Sequence, residues 1–213
     1  MEAVVFKFNP YDPCVANQLK KRSQHTLLFH VDDLKSSHID SRVNDELDKW
    51  LQENYGEHGE VTIYRGKIHD YLGMQLDYSV KGKVKIGMIE YVSEMLKHFP
   101  QTFKENEVAT TPASDALFNE GQGRKLHKER ADMYHTMVAK ALFLCKRARP
   151  DIQQTMAVLC TRVKEPNKAD WKKLVRLMKY LNGTRDLRLT LSADKLNCIK
   201  VVCGRKFCGP SRL

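Results

Sequence analysis

The sequence lacks any apolar run that approaches the roughly 18 residues needed to cross a membrane. It also lacks the apolar core of a signal peptide, because the apolar stretch 3–8 is too short. These absences argue against a membrane-spanning or secreted protein. We therefore expect an intracellular chain, cytoplasmic or nuclear, without a membrane partner.

Cysteine spacings typical of zinc sites or disulfide frameworks are absent as well. Three of the six cysteines are isolated in the sequence: Cys14, Cys145 and Cys160. The other three follow one another at equal gaps of four residues: Cys198, Cys203 and Cys208. Zinc sites do not usually use that gap, and no histidine lies near it. The pattern predicts reduced thiols, as in a cytosolic or nuclear protein.

Acidic residues are in short supply relative to basic ones. The 213 residues include 36 Lys and Arg but 26 Asp and Glu, which gives a formal net charge of +10. A hydrophobic content of 42% is ordinary for a globular protein, and the length suits one domain or two small ones. The excess charge favours a polyanionic partner, although charge that only serves solubility is a common alternative.

Hydrophobic periodicity predicts an α+β chain. Strands are predicted over 3–8, 13–17, 25–30, 34 onward, 61–64, 71–78 and 83–88. Helices are predicted over 41–54, 89–99, 129–147, 150–163 and 168–182. The polar stretch 101–130 between these groups has the composition of a linker. The sequence thus predicts a mixed first part and an all-helical second part.

Two adjacent carboxylates follow the apolar run 27–31. Asp32 and Asp33 repel each other when both are ionised, and a bound divalent cation removes that repulsion. Mg²⁺ prefers carboxylate oxygens, so the pair indicates metal-assisted chemistry. A solvated turn is the more common explanation of such a dipeptide, and the dipeptide alone leaves both alternatives open.

The last predicted helix has two chemically different faces. Its apolar residues repeat at helical spacing and predict a buried face: Trp171, Leu174, Val175, Met178 and Leu181. Basic residues fall on the opposite side: Lys172, Lys173, Arg176 and Lys179. Further basic residues lie at the ends of neighbouring helices. The pattern fits either a solvated basic face or a surface that contacts phosphates.

The order of four segments resembles the reverse transcriptase of Ty1/copia-type retrotransposons over about residues 6–194. Segment 11–14 precedes the hairpin, and segment 28–33 is similar to the Tyr-Val-Asp-Asp catalytic box of that family. Segment 70–74 is similar to its Phe-Leu-Gly segment. Segments 134–152 and 171–187 resemble its thumb and connection.

This resemblance implies a nucleotidyl transferase that uses two metal ions and a template-primer of RNA and DNA. Asp32 and Asp33 would be catalytic and would bind Mg²⁺. The implied primer-terminus residues are His30 and Val31. The implied primer-grip residues are Tyr71, Leu72 and Gly73, where Gly73 would let the backbone approach the primer. The nucleic-acid-binding residues Lys172, Lys173, Arg176 and Lys179 are predicted from the charge pattern of the last helix.

The implied fold is a partial polymerase palm followed by helices. Antiparallel hairpins plus helices would form the palm over 1–100, and 101–130 would be a linker. An all-helical thumb and connection would occupy 131–194. We expect the tail 195–213 to be a frameshifted start of an RNase H domain. A one-nucleotide shift in a back-translation of the tail permits Trp-Cys-Val-Asp-Ala-Ser-Phe-Ala-Val, and the flanking genomic DNA would test this.

The chain departs from the family pattern at two places. His30 stands where the family usually has Tyr, and imidazole offers less area and can become charged near neutral pH. The first catalytic aspartate of the family has no counterpart in the sequence before Asp32. Two carboxylates on one turn cannot readily complete two octahedral Mg²⁺ sites. We therefore expect the isolated chain to be inactive as a polymerase.

Three functional hypotheses follow from these observations. The chain is a polymerase region that works only with the remainder of a polyprotein, a basic remnant that binds nucleic acid without catalysis, or a decayed transposon relic. An open reading frame upstream would favour the first hypothesis, and stop codons there would favour decay. Steep salt dependence of binding to an RNA–DNA hybrid would support the second.

Overall fold

The computed structural model describes residues 6–57, 59, 61–119 and 123–192. Within these ranges the chain forms two four-stranded antiparallel sheets and five α-helices. The helices after residue 88 pack together into one hydrophobic core, which we call the helical lobe. The predicted tail with its three cysteines lies outside the described residues, as do residues 3–5 of the first predicted strand.

The first sheet is a simple antiparallel meander. Its strands, in spatial order, are β1 (Lys7–Phe8), β2 (Val15–Lys20), β3 (Ser23–His30) and β4 (Asp33–Ser37). Helix α1 (Ser41–Tyr55) follows and places Val43 and Leu47 in the interior. Asp40 caps this helix, since its side chain accepts a hydrogen bond from the Arg42 backbone amide at 3.1 Å.

A chain of half-buried polar side chains around the buried His25 lies between the first sheet and α1. Gln18 Nε2 donates to His25 Nδ1 at 2.9 Å, and His25 Nε2 lies 2.8 Å from Ser36 Oγ. Ser36 Oγ donates onward to Asn44 Oδ1 at 2.7 Å, so His25 must carry its proton on Nε2. His25 is 1% exposed. Burial, the neighbouring His38 and Lys20 together lower the pKa of His25 from its usual 6.5.

The second sheet combines strands from distant parts of the sequence. Its strands, in spatial order, are β5 (Ile68–Tyr71), β6 (Met74–Asp77), β7 (Lys83–Gly87) and β8 (Leu189–Ser192). Strand β8 follows the last helix and pairs with β7, with Ile86 opposite Leu189. The second part of the chain, which we predicted to be all helical, therefore also contributes a strand to this sheet.

The helical lobe consists of four α-helices around one core. They are α2 (Ile89–His98), α3 (Lys128–Arg147), α4 (Gln153–Thr161) and α5 (Lys168–Gly183). Leu144, Leu174 and Leu177 have no exposed surface. Cys145 is 4% exposed in this core, and burial raises the pKa of its thiol.

Aromatic rings extend this core to the surface. Phe99 stacks on Trp171 with ring centroids 5.5 Å apart, and Phe103 stacks on Phe99 at 5.6 Å. The guanidinium of Arg130 lies 4.3 Å from the centroid of the Trp171 ring. Trp171 itself is only 6% exposed, so neighbouring side chains cover its indole.

One buried arginine joins the two ends of the helical lobe. The Arg149 guanidinium, 2% exposed, donates to Asp151 Oδ2 at 2.8 Å and to the Thr184 carbonyl oxygen at 2.8 Å. The Tyr180 hydroxyl donates to the same Asp151 oxygen at 2.8 Å. These bonds connect the 3-10 helix Pro150–Ile152 to the C-terminal end of α5.

The observed elements differ from the predicted ones in the second sheet. Residues 61–64, predicted as a strand, have no regular secondary structure. The strand predicted over 71–78 is instead a turn followed by β6, because Leu72 and Gly73 reverse the chain. The helices begin or end within a few residues of their predicted limits, except that 150–163 divides into a 3-10 helix and α4. No helix among the described residues has the length and apolarity needed to cross a membrane.

We predict that Arg149→Ala destabilises the protein by about 3 kcal/mol, because it leaves the half-buried Asp151 without its cation. Urea unfolding followed by circular dichroism measures this change. Lys146→Ala is the matched control, since Lys146 is exposed on α3 and should alter stability by less than about 0.5 kcal/mol. Equal losses in both variants would contradict a dominant role of Arg149.

We predict that His25 makes its full contribution to the free energy of unfolding above about pH 6.5. This contribution decreases as the pH falls toward the lowered folded-state pKa of His25. Below 6.5 the unfolded chain binds this proton more readily than the folded chain. His25→Phe should flatten the pH dependence measured by urea unfolding. Ser36→Ala removes a hydrogen-bond partner but keeps the imidazole, so it should lower stability without flattening the curve.

Candidate functional site

The two predicted catalytic carboxylates lie at the tip of the β3–β4 hairpin. His30 pairs with Asp33 across the strands, so Val31 and Asp32 form a two-residue turn. Val31 has φ +56° and is 94% exposed. A β-branched residue in the left-handed region costs about 1–3 kcal/mol. The hairpin therefore holds Asp32 and Asp33 next to each other at the cost of backbone strain.

The described residues do not form a complete Mg²⁺ site. Asp32 and Asp33 are both exposed. Within the described ranges no three His, Cys, Asp or Glu side chains are grouped so that they could hold a metal ion. Mg²⁺ requires near-octahedral coordination, which two carboxylates alone leave largely to water. Binding of Mg²⁺ at this hairpin remains a prediction from the sequence.

The predicted primer-grip residues form a second tight turn. Tyr71 pairs with Met74, so Leu72 and Gly73 occupy the two turn positions between β5 and β6. Their φ angles of +51° and +74° match a type I′ hairpin turn. A Cβ atom on Gly73 would meet nothing within 4 Å. Glycine at this position is thus explained by the backbone conformation of the turn.

The two hairpins lie close together in the fold. Burial raises the pKa of the Tyr71 hydroxyl. Electrostatic repulsion by Asp33 and, to a smaller extent, by Cys14 raises this pKa further. Lys35 of β4 places its Nζ atom 5.2 Å from the centroid of the Tyr78 ring, which gives a second contact between the same regions. The Lys35–Tyr78 contact therefore brings β4, which begins at Asp33, close to the segment that follows the β5–β6 hairpin of Tyr71.

Segment 11–14, the first segment of the resemblance, supports the base of this arrangement. Asp12 Oδ1 accepts a hydrogen bond from the Cys14 amide at 2.9 Å, which fixes the turn before β2. The Cys14 carbonyl oxygen accepts from the Phe29 amide at 3.0 Å. Neither Cys14 nor Lys35 was predicted as a site residue, because neither lies in a local pattern that distinguishes it.

The predicted basic face of α5 is largely covered by segment 104–119. Lys173 Nζ donates to the Asn119 carbonyl oxygen at 2.9 Å, and Arg176 donates to Thr111 Oγ1 at 2.9 Å. Lys179 Nζ lies 3.5 Å from Glu107 Oε1. These three side chains are half-buried, whereas Lys172 is exposed.

This arrangement changes what the four basic residues can contribute. The hydrogen-bond partners of Lys173 and Arg176 are neutral oxygens, which occupy some of their N–H donors. These bonds do not neutralise the two positive charges, which can still attract a phosphate. Glu107 offsets the charge of Lys179. Lys172 is thus the member of the predicted set that is most accessible to a phosphate.

A protein of Saccharomyces cerevisiae that is named as a transposon Ty5-1 protein is 24% identical to this chain over 180 residues. The match covers 83% of this chain and 55% of the yeast protein, so the chain spans about half the length of that relative. No family model and no solved structure matches the chain. The similarity supports a retrotransposon-derived protein.

We predict that Asp33→Asn lowers the pKa of Tyr71, because it removes a negative charge that disfavours the phenolate. The pH titration of ¹³C-labelled tyrosine by NMR measures this change, and Tyr71→Phe assigns the signal. Asp32→Asn is the matched control on the same turn and should shift the signal less. An equal or larger shift in the control would contradict the proximity of Asp33 to Tyr71.

Proposed function

We propose that the chain is a reverse-transcriptase region of a Ty1/copia-type retrotransposon polyprotein and that it binds a template-primer of RNA and DNA. The similarity to the transposon Ty5-1 protein supports the transposon origin, and the four ordered sequence segments support the polymerase assignment. In a complete polyprotein Asp32 and Asp33 would supply two of the carboxylates for nucleotidyl transfer with Mg²⁺.

The contact between Lys35 and Tyr78, which brings the β3–β4 hairpin of Asp33 close to the β5–β6 hairpin of Tyr71, is the observation that carries this proposal. The family resemblance assigns Asp33 to the metal-binding hairpin and Tyr71 to the hairpin that grips the primer. A polymerase requires these two functions side by side, because the 3′-hydroxyl must reach the metal-bound phosphate. The raised pKa of the Tyr71 hydroxyl, which burial causes and to which the charge of Asp33 contributes, agrees with this arrangement of the two hairpins.

The charge distribution supports nucleic acid as the partner. The chain has a formal net charge of +10, and phosphodiester backbones attract such proteins over distances set by the ionic strength. Lys172 exposes its ammonium group on α5, and the charges of Lys173 and Arg176 lie beside it without a carboxylate partner among the described residues.

A binding function without catalysis is the second candidate for the chain by itself. The observation in its favour is that the described residues offer two neighbouring carboxylates and no third metal ligand. In this case the chain would hold nucleic acid, and the remainder of the polyprotein would complete the catalytic site. A primer-extension assay with the purified chain separates the two candidates, because extension without a partner would contradict the non-catalytic one.

We predict that binding to an RNA–DNA hybrid weakens steeply with salt and that Lys172→Gln reduces the slope of log K against log salt by about 1. Fluorescence anisotropy with a labelled hybrid measures the slope. Arg176→Gln should change the slope less, since Arg176 is half-buried and bonded to Thr111.

Lys49→Gln is the matched control for this experiment. Lys49 is exposed on α1, with its side chain 79% accessible, so the substitution removes the same charge from another face. An equal decrease in slope for Lys49→Gln and Lys172→Gln would contradict a local contact at α5. Absence of binding at low salt would contradict the proposed nucleic-acid binding altogether.

A further inference from the structure

A cavity of about 480 Å³ lies between the start of α5 and the segment that leads into α3. Five basic side chains line it: Arg124, Lys125, Arg130, Lys168 and Lys172. Four of these were not among the nucleic-acid-binding residues predicted from the sequence. The cavity is distant in sequence from the Asp32–Asp33 hairpin and shares only Lys172 with the predicted basic face of α5.

Backbone hydrogen bonds fix the main-chain positions of two of these basic residues. The Lys168 amide donates to the Arg124 carbonyl oxygen at 3.1 Å, and the Leu126 amide donates to the Pro166 carbonyl oxygen at 3.0 Å. Lys125 and Asn167 form an antiparallel bridge between these two bonds. The pairing holds Arg124 and Lys168 on facing segments at the same end of the cavity.

The start of α5 contributes little hydrogen bonding to a ligand in this cavity. The Asn167 side chain accepts from the amides of Ala169 and Asp170 at 2.8 and 3.0 Å, and the Asp170 carboxylate accepts from the Asn167 amide at 3.0 Å. This capping box occupies these helix amides. Recognition of an anion must therefore depend on the basic side chains.

Positive charge in the cavity exceeds the nearby negative charge. Lys125 pairs with Glu165 at 3.0 Å, and Glu129 lies beside Arg130 at an adjoining depression. Arg124, Lys168 and Lys172 are exposed and have no ion pair within the described ranges. Three cations that line one cavity without carboxylate partners among the described residues repel one another, and a multiply charged anion would relieve that repulsion.

The floor of the cavity is apolar but offers no ring face for stacking. Leu126, Trp171 and Val175 form this floor. Arg130 lies over the Trp171 ring, and Phe99 stacks on the same indole, so a ligand can reach only its edge. This geometry disfavours a ligand held by base stacking and favours one held by charge.

We propose that this cavity binds a small anion with two or three adjacent phosphate groups. A volume of about 480 Å³ lies in the range of small-molecule sites and suits such an anion, with or without a nucleoside. Arg124 supplies a planar fork for paired phosphate oxygens, while Lys168 and Lys172 supply compact charges. The site adds a small-molecule ligand to a chain whose proposed partner is nucleic acid.

Fluorescence of Trp171 reports on binding at the cavity floor. The chain contains two tryptophans, and Trp50→Phe leaves Trp171 as the single emitter. This variant is titrated with inorganic tripolyphosphate, a nucleoside triphosphate and the corresponding nucleoside. We predict a saturable change with both triphosphates and none with the nucleoside. Tighter binding of the nucleoside triphosphate would assign it as the ligand, and equal binding would assign the phosphate groups alone.

Substitutions at the cavity test whether the named cations bind the anion. Arg124→Gln with Lys168→Gln should weaken tripolyphosphate binding at least tenfold, since each charge-assisted bond contributes enough for about that factor. Lys128→Gln with Lys164→Gln is the matched control, because both lysines are exposed nearby but do not line the cavity. This control pair should retain binding within about twofold.

Three results would overturn the proposal. The first is absence of a saturable response to either triphosphate at low salt, and the second is equal weakening in the two double variants. The third is displacement of tripolyphosphate by a single-stranded oligonucleotide at an equal phosphate concentration, which would assign the cavity to a nucleic-acid backbone. Binding of the RNA–DNA hybrid by the Arg124 and Lys168 double variant is measured in parallel, so that loss of one ligand is separated from loss of the other.

Discussion

The buried guanidinium of Arg149 is the constraint on which the helical lobe depends. Its bonds to Asp151 and to the Thr184 carbonyl oxygen hold the start of α4 against the end of α5. A guanidinium with 2% exposure is tolerated only when nearly every one of its N–H donors has an acceptor. Few alternative arrangements of these helices would provide those acceptors. The orientation of α5 then determines both the side that segment 104–119 covers and the side that faces the basic cavity.

Local sequence patterns were sufficient to predict most of the helices and the β3–β4 hairpin. Apolar spacing over 168–182 marks α5, and the apolar run 27–31 followed by Asp32 and Asp33 marks the end of β3 and its turn. The β5–β6 turn could not be predicted in the same way, because Leu72 takes a left-handed conformation that its residue type rarely adopts. Strand β8 depends on a pairing with β7 that no local pattern encodes.

The candidate site shows the same division between local and distant information. The sequence placed Asp32 and Asp33 on one turn, but the contact of the neighbouring Lys35 with the Tyr78 ring joins residues that are 43 positions apart. The basic face of α5 was evident from spacing, whereas its contacts with Thr111 and Asn119 involve residues 65 and 54 positions away. Arg124 was missed because it lies in a polar stretch that was interpreted as a linker, although the basic residues there were a usable signal.

The pairing of β7 with β8 has a consequence for the order in which the chain can fold. Lys83 faces Ser192, so this ladder closes a loop of about 100 residues that contains α2 to α5. Closing a loop of that length before its interior is compact has a high entropic cost. The helices should therefore condense first, and the last strand should join the sheet late, as the step that completes the cooperative unit.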